Sequence, residues 1–133
     1  MKANELQVGS FVLLDGKPIK VSSVHKRKIG YHTSQTKMTF VFEGKIQPIQ
    51  ITPELLEKNG FEREKLITLY NHYTGIDNRV SLHDDFMSMN SKNMWSVHID
   101  SEDYCSIAHC ELTYVHELQH LLRICKIDFE WKI

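Results

Sequence analysis

Two histidines and a glutamate are spaced here as in the zinc-binding HExxH motif. The residues run His116-Glu117-Leu118-Gln119-His120. On a helix, His116 and His120 lie one turn apart on one face and could both bind zinc, while Glu117 would act as the general base toward a zinc-bound water. Zinc-dependent hydrolysis is therefore the first chemistry that the residue types indicate.

The usual positions of a third protein ligand hold other residues. The longer form of the motif has Gly three residues and His six residues after the second histidine, and this chain has Arg123 and Lys126 there. After Cys125 only eight residues follow, with Glu130 as their one glutamate, which is too little for a second ligand helix. An upstream ligand such as His98 or His109 stays open.

We therefore predict no catalytic residue, no metal site and no cofactor. The alternative is a zinc hydrolase in which His116 and His120 bind the metal and Glu117 is the catalytic base. A zinc finger is a weaker alternative, because only five residues separate Cys110 from His116, where about twelve are typical. Its first cysteine would be Cys105.

The motif lies in the longest stretch of helical periodicity, which runs from Cys110 to Cys125. Apolar residues recur there at steps of three and four, which predicts an amphipathic helix. At about 100° per residue, His116 and His120 point away from the apolar stripe. We expect both to face solvent, or a cleft if another segment covers them. The stripe consists of Leu112, Val115, Leu118, Leu121, Leu122 and Cys125.

A second cluster is basic. His25-Lys26-Arg27-Lys28 forms a compact turn between strand-like segments, with Tyr31 and His32 near enough to stack on a base. The simpler interpretation is a solvated hairpin tip. The alternative is a small β-barrel that contacts nucleic acid through Lys26, Arg27 and Lys28.

Composition indicates an ordinary globular domain. The chain has 133 residues, 41% of them hydrophobic and 25% charged, and a formal net charge of −1. The whole chain therefore has no basic bias toward nucleic acid or membrane. An odd count of three cysteines and a polar N-terminus without a signal-peptide core predict a reduced, cytoplasmic location. No apolar run approaches the length of a membrane span.

Turn and strand patterns predict a single α+β domain, mostly antiparallel β. Residues 1–51 form a β-rich lobe, an SH3-like barrel or a curled meander, with Asp15-Gly16 as a hairpin turn. Residues 52–133 form an α+β lobe, which begins with a short helix that Thr52 caps and Gly60 ends. Strands follow over residues 66–108, and then the long C-terminal helix packs on a sheet. Alternating apolar residues at 127–133 predict a last strand.

Three stretches carry a resemblance to a known family. They are MKANELQVGSFV at residues 1–12, ITPELLEKNGF at 51–61, and Tyr114-Val115-His116 with Leu118-Gln119 and Leu121. In this order they resemble small uncharacterised proteins of Bacteroidales-type bacteria, their mobile elements and phages. Members of that family tend to have Gln and Asn where this chain has Glu117 and His120. The resemblance thus implies no zinc site and supplies no activity.

Together these observations predict a cytoplasmic, non-enzymatic accessory protein of mobile-element or phage type that binds a partner protein. Nucleic acid is an alternative partner and a membrane is not expected. The sequence specifies neither the identity of the partner nor the oligomeric state.

Overall fold

The computed structural model describes residues 1–65, 68–72, 79–84, 94–100, 106–127 and 129–133. Side chains are described except those of 62–79, 81, 83–93, 101–109 and 128. Contacts divide the chain into two compact units. The first holds Met1–Gln50, Tyr114–His120 and Ile133, and the second holds Ile51–Thr113 and Leu121–Lys132.

Each unit contains a five-stranded antiparallel sheet, so the protein is α+β and mostly antiparallel, as predicted. In the first sheet the strands lie in the order β4-β3-β2-β1-β5. The sheet does not close into a barrel. Of the two predicted arrangements, the strand order corresponds to the meander over the first four strands, and the fifth strand returns to pair with the first. Its strands are β1 (Phe11–Leu14), β2 (Lys17–Val24), β3 (Lys28–His32), β4 (Met38–Phe42) and β5 (Ile46–Pro48).

The turn between β1 and β2 is the predicted Asp-Gly hairpin. Asp15 has φ 50° and Gly16 has φ 77°, so both central residues adopt the left-handed conformation that a two-residue hairpin turn requires. The turn sets the register in which Leu14 lies opposite Lys17 and Val12 opposite Ile19. Val12 then belongs to a buried apolar core with residues from the neighbouring strands and the N-terminal 3-10 helix (Ala3–Glu5). That core consists of Ala3, Leu6, Val12, Val21, Ile29 and Ile46.

The second sheet is a meander of consecutive strands in the order β10-β9-β8-β7-β6. Trp95, Val97 and Ile99 are buried and alternate with half-buried residues, which confirms the predicted strand. Val97 and Ile99 lie opposite Leu82 and Val80, which are also buried. The strands are β6 (Glu62–Lys65), β7 (Thr68–His72), β8 (Arg79–Asp84), β9 (Trp95–Asp100) and β10 (Ser106–Leu112).

The short helix α1 (Pro53–Lys58) begins and ends as predicted. The Thr52 hydroxyl oxygen accepts a hydrogen bond from the Leu55 N–H at 3.2 Å, which caps the first turn. Gly60 has φ 86°, a left-handed conformation that favours glycine after a helix.

The long helix α2 (Val115–Ile124) begins later than the periodicity predicts. Cys110 and Leu112, assigned to the helix from the sequence, lie in β10 opposite Val97 and Trp95. Pairing with β9 thus outweighs the local helical spacing of these two residues.

The C-terminal segment is not the predicted strand, because residues 129–133 form no ladder. Its alternation nevertheless corresponds to burial, since Ile127 and Trp131 are buried. The Asn59 side chain takes the place of a partner strand. Its Oδ1 accepts from the Lys132 N–H, and its Nδ2 donates to the Lys132 carbonyl at 2.9 Å. Phe129 adds edge-to-face contacts with Phe61 and Trp131.

Some predicted features lie outside the described residues. They are Cys105 of the zinc-finger alternative and, within the strand region predicted over residues 66–108, the positions 66–67, 73–78, 85–93 and 101–105. No helix within the described ranges combines the length and apolar character needed to cross a membrane.

Candidate functional site

Glu117, the would-be catalytic base, caps its own helix. Its Oε2 accepts a hydrogen bond from the Tyr114 N–H at 2.9 Å. Tyr114 immediately precedes α2 and Glu117 is the third residue of the helix, the position from which Glu commonly reaches back to the chain entering a helix. A carboxylate used in this way stabilises the start of α2.

Gln119 pairs with the backbone that leads into β1. Its Oε1 accepts from the Phe11 N–H at 2.9 Å, and its Nε2 donates to the Gly9 carbonyl at 3.0 Å. One side-chain amide therefore satisfies a backbone donor and a backbone acceptor two residues apart, as a neighbouring strand would. Gln119 is the residue of the motif that ties α2 to the N-terminal segment.

His120, the second candidate ligand, is exposed and contacts the same segment. Its Nε2 lies 2.9 Å from the Gln7 Nε2. Because an amide NH₂ group can only donate, the ring Nε2 accepts and its proton is assigned to Nδ1. A metal at this nitrogen would have to displace Gln7.

His116 is buried, with only 6% of its surface exposed. Of the two positions expected from the sequence, it therefore does not face open solvent, and other parts of the chain cover it. Its ring stacks on Tyr114 at a centroid distance of 5.8 Å. Burial lowers the pKa of His116 below 6.5, and the carboxylates of Glu117 and Glu5 oppose part of that effect. The buried Nδ1 atom has no hydrogen-bond partner.

The N-terminal segment lies against the polar side of α2, which the sequence alone left open either to solvent or to a covering segment. Contacts from Gln7, Gly9 and Phe11 reach residues on the polar side of α2. These partners are more than 100 residues apart in the chain. Helical periodicity reports which residues share a face and carries no information on what covers that face.

The described residues contain no group of three His, Cys, Asp or Glu that could hold a metal. The upstream candidates His98 and His109 lie opposite each other on β9 and β10, within the second unit. Cys110 and Cys125 are half-buried, and burial raises the pKa of Cys125. Of the four polar residues of the motif, Glu117, Gln119 and His120 have hydrogen-bond partners within the chain, and His116 is buried against Tyr114.

A different surface combines exposed aromatic rings with cations. The register of β3 and β4 places Lys28 opposite Phe42, Gly30 opposite Phe40, and His32 opposite Met38. Directly opposed residues share a face of an antiparallel pair. We call this surface the aromatic face; it consists of Lys28, Gly30, His32, Met38, Phe40 and Phe42.

The three large apolar side chains of the aromatic face are exposed to solvent. Phe42 is 68% exposed, Phe40 49% and Met38 38%. The alternate residue Val41 packs against the buried core on the other side of the sheet. The strand β4 is therefore apolar on both faces, and it forms one edge of the first sheet.

Gly30 allows the Phe40 side chain to lie across β3. A Cβ atom at position 30 would meet the Phe40 Cε1 at 3.0 Å, the Met38 Sδ at 2.9 Å and the Ser23 Oγ at a closer distance. A larger residue at position 30 would therefore force the side chains of Ser23, Met38 and Phe40 to shift.

The basic turn, His25-Lys26-Arg27-Lys28, adjoins this face. It is closed by the His25 N–H donating to the Lys28 carbonyl at 2.9 Å. The Lys28 Nζ lies 5.0 Å from the centroid of the Phe40 ring, and the His25 ring meets Phe40 edge-on at 5.4 Å. Arg27 forms a long ion pair with Glu43, at 3.6 Å.

Sequence reasoning identified the cations but not the rings. Of the two residues proposed to stack on a base, Tyr31 pairs with Thr39 and is half-buried, whereas His32 lies on the aromatic face. The missed signal is the run MTFVF at residues 38–42, a strand with apolar residues at nearly every position. At the edge of a sheet, such a run leaves one apolar face uncovered.

Charge is also unevenly distributed along the chain. Residues 1–50 hold eight Lys and Arg against three Asp and Glu, a formal net charge of +5. Residues 51–133 hold eight against fourteen, a net charge of −6. The near-neutral total thus conceals a basic first unit, which a comparison of the two parts of the sequence would have found.

Comparisons with protein-family models, with curated proteins and with solved structures give no match. The resemblance to proteins of mobile elements and phages stays a prediction.

Proposed function

We propose that this protein is a non-enzymatic binding module that holds nucleic acid on the aromatic face and the basic turn. The observation that carries the proposal is the Phe40 ring, exposed at the surface with the Lys28 ammonium 5.0 Å from its centroid. Aromatic rings bind bases by stacking, and Lys and Arg side chains bind phosphates. A surface that binds nucleic acid in this way needs both groups close together.

The positive charge of the first unit supports nucleic acid as the partner. Residues 1–50 carry a net charge of +5, and Glu117 brings the total for the first unit to +4. This positive charge attracts a polyanion and releases its counterions on binding. Lys26 and Lys28 are both exposed on the turn beside the rings. A protein partner, the broader expectation from the sequence, would not need this clustering of cations around aromatic rings.

Catalysis by the HELQH stretch has weaker support. Glu117 caps α2, Gln119 binds the backbone near β1, and His116 is buried with its pKa lowered. Each of these contacts would have to break before a metal and a water could occupy the site.

The proposal is tested by fluorescence anisotropy with a labelled oligonucleotide of mixed sequence. We expect binding that weakens steeply with salt, because phosphate contacts release counterions. Lys26→Ser with Lys28→Ser should weaken binding and flatten the salt dependence by about two phosphate contacts, a slope change of roughly 0.7–0.9 for each contact.

The matched control removes the same charge elsewhere. Lys58→Ser with Lys132→Ser also deletes two exposed lysines, both in the second unit. It should leave affinity and salt slope nearly unchanged. Equal losses in the two double variants would show only a general charge effect and would overturn the assigned surface. No binding even at low salt would overturn the nucleic-acid function.

A further inference from the structure

We infer that the ligand of the aromatic face is an extended single strand that places successive bases on Phe40 and Phe42. This inference rests on the proposed function and specifies the form of nucleic acid. It follows from the spacing of the two rings, their exposure and the position of Lys28.

The spacing excludes a stacked strand. Phe40 and Phe42 are two residues apart on one face of β4, so their attachment points are about 6.8 Å apart, twice the strand rise of ~3.4 Å per residue. Neighbouring nucleotides in a duplex strand are separated by ~3.4 Å along the axis. A strand that offers one base to each ring must therefore be pulled out to about twice that rise, which breaks base stacking and pairing.

Exposure indicates that both rings can accept a base. Phe42 is 68% exposed and Phe40 is 49% exposed. The glycine opposite Phe40 removes the cross-strand side chain that would otherwise stand beside the ring. Ring stacking tolerates every base, because each base has a π face. The face should thus accept many sequences.

Lys28 provides the accompanying charge. It lies directly opposite Phe42 in the register, and its Nζ is 5.0 Å from the Phe40 centroid. Lys28 is thus opposite one ring in the register and has its ammonium over the other ring. A phosphate that links two bases stacked on those rings would lie within its reach, so a dinucleotide step matches the arrangement of the face.

The first experiment compares a single strand with the duplex formed from it and its complement. We expect the single strand to bind at least tenfold more tightly at equal salt. Phe40→Leu and Phe42→Leu keep an apolar side chain but remove the ring, and each should weaken single-strand binding by about 5-fold to 150-fold, the measured range for one stacked base. Ile124→Ala is the control, because Ile124 is also 68% exposed but lies on α2.

A second variant gives a direct optical signal of stacking. Both native tryptophans, Trp95 and Trp131, are buried. Phe42→Trp therefore adds one exposed indole on the aromatic face, and a base stacked on it should quench its fluorescence. We expect quenching by the single strand and little change with the duplex.

The outcomes separate this inference from the proposed function. Equal binding of single strand and duplex, with both leucine variants unaffected, would leave a purely electrostatic nucleic-acid site and overturn the single-strand inference alone. Tighter binding of the duplex would show ring insertion between paired bases and overturn it as well. Absence of binding to either form would overturn both proposals.

Discussion

At the residue scale, the HELQH stretch shows how one spacing serves two different ends. Glu117 and Gln119 both form hydrogen bonds with the backbone, the first with the residue that precedes α2 and the second with the segment before β1. Glu and Gln at these two positions are compatible with a metal motif and equally with a helix whose polar side chains bind the backbone. The spacing could be found from the sequence, but the partners of Gln119 could not, because they come from the other end of the chain.

Gln119 should contribute measurably to stability. Gln119→Met keeps the length of the side chain but leaves the Gly9 carbonyl and the Phe11 N–H without this partner. We expect a loss of about 1–3 kcal/mol in the free energy of unfolding, which is the net contribution of two hydrogen bonds at roughly 0.5–1.5 kcal/mol each. Gln47→Met is the control, because Gln47 is exposed on β5. Denaturant titration measures both, and equal small losses would contradict the role of Gln119.

His116 should make stability depend on pH. Burial holds its folded-state pKa below the ordinary 6.5, so on acidification the unfolded chain takes up a proton first. Stability should therefore be constant above about pH 7.5 and fall as the pH drops through 6.5, until the folded-state pKa is reached. His116→Phe should remove this part of the dependence and keep a ring against Tyr114.

Denaturant titrations across that pH range measure the effect. Other groups act on His116, namely Glu5, Glu117, His120 and the N-terminal amine. The comparison is therefore the difference between the native chain and His116→Phe at each pH. His32→Phe serves as control because His32 is exposed. An unchanged pH profile in His116→Phe would refute the assignment.

At the element scale, burial was predicted better than pairing. Alternation correctly predicted the buried residues of β9 and of the C-terminal segment, because apolar residues at regular intervals are buried whatever their hydrogen bonds. It wrongly predicted a ladder at 129–133, where Asn59 supplies the bonds. Helical periodicity, in turn, wrongly placed Cys110 and Leu112 in α2, although both belong to the strand β10. Whether a segment pairs depends on distant neighbours, which local pattern does not specify.

Removal of residues 129–133 should destabilise the second unit. Trp131 is buried and Phe129 contacts both Trp131 and Phe61. Burial of Trp131 alone is worth on the order of 1.5–3 kcal/mol, and the deletion also leaves the buried Asn59 amide without Lys132. We expect a clearly lower melting temperature in a thermal scan.

A point variant keeps this test informative if the shortened chain does not fold. Trp131→Ala should lower stability, whereas Glu130→Ala, at an exposed position in the same segment, should change it by less than about 0.5 kcal/mol. A shortened chain that melts like the native one would show that the segment adds nothing to the fold.

At the scale of the whole molecule, the fold class followed from the sequence and the candidate binding surface did not. Strand alternation and the Asp-Gly turn were sufficient for an α+β, mostly antiparallel protein. The aromatic face depends on which strand lies at the edge of the first sheet, and on the register that puts Lys28 beside Phe42. Whole-chain net charge also misled, because −1 is the sum of +5 and −6 over two parts of the chain.

The strand β4 has a further consequence for the behaviour of the molecule at high concentration. Within the described part of the chain it is an edge strand with three large apolar side chains exposed on one face, a combination that promotes aggregation between copies. Lys28, directly across from Phe42, acts as a gatekeeper, since like charges on approaching copies repel. Lys28 is thus proposed both to bind a phosphate, which neutralises its charge, and to keep copies of the protein apart, which depends on that charge. When the charge of Lys28 is neutralised, the repulsion between copies decreases, and β4 should associate more readily with other copies of the protein.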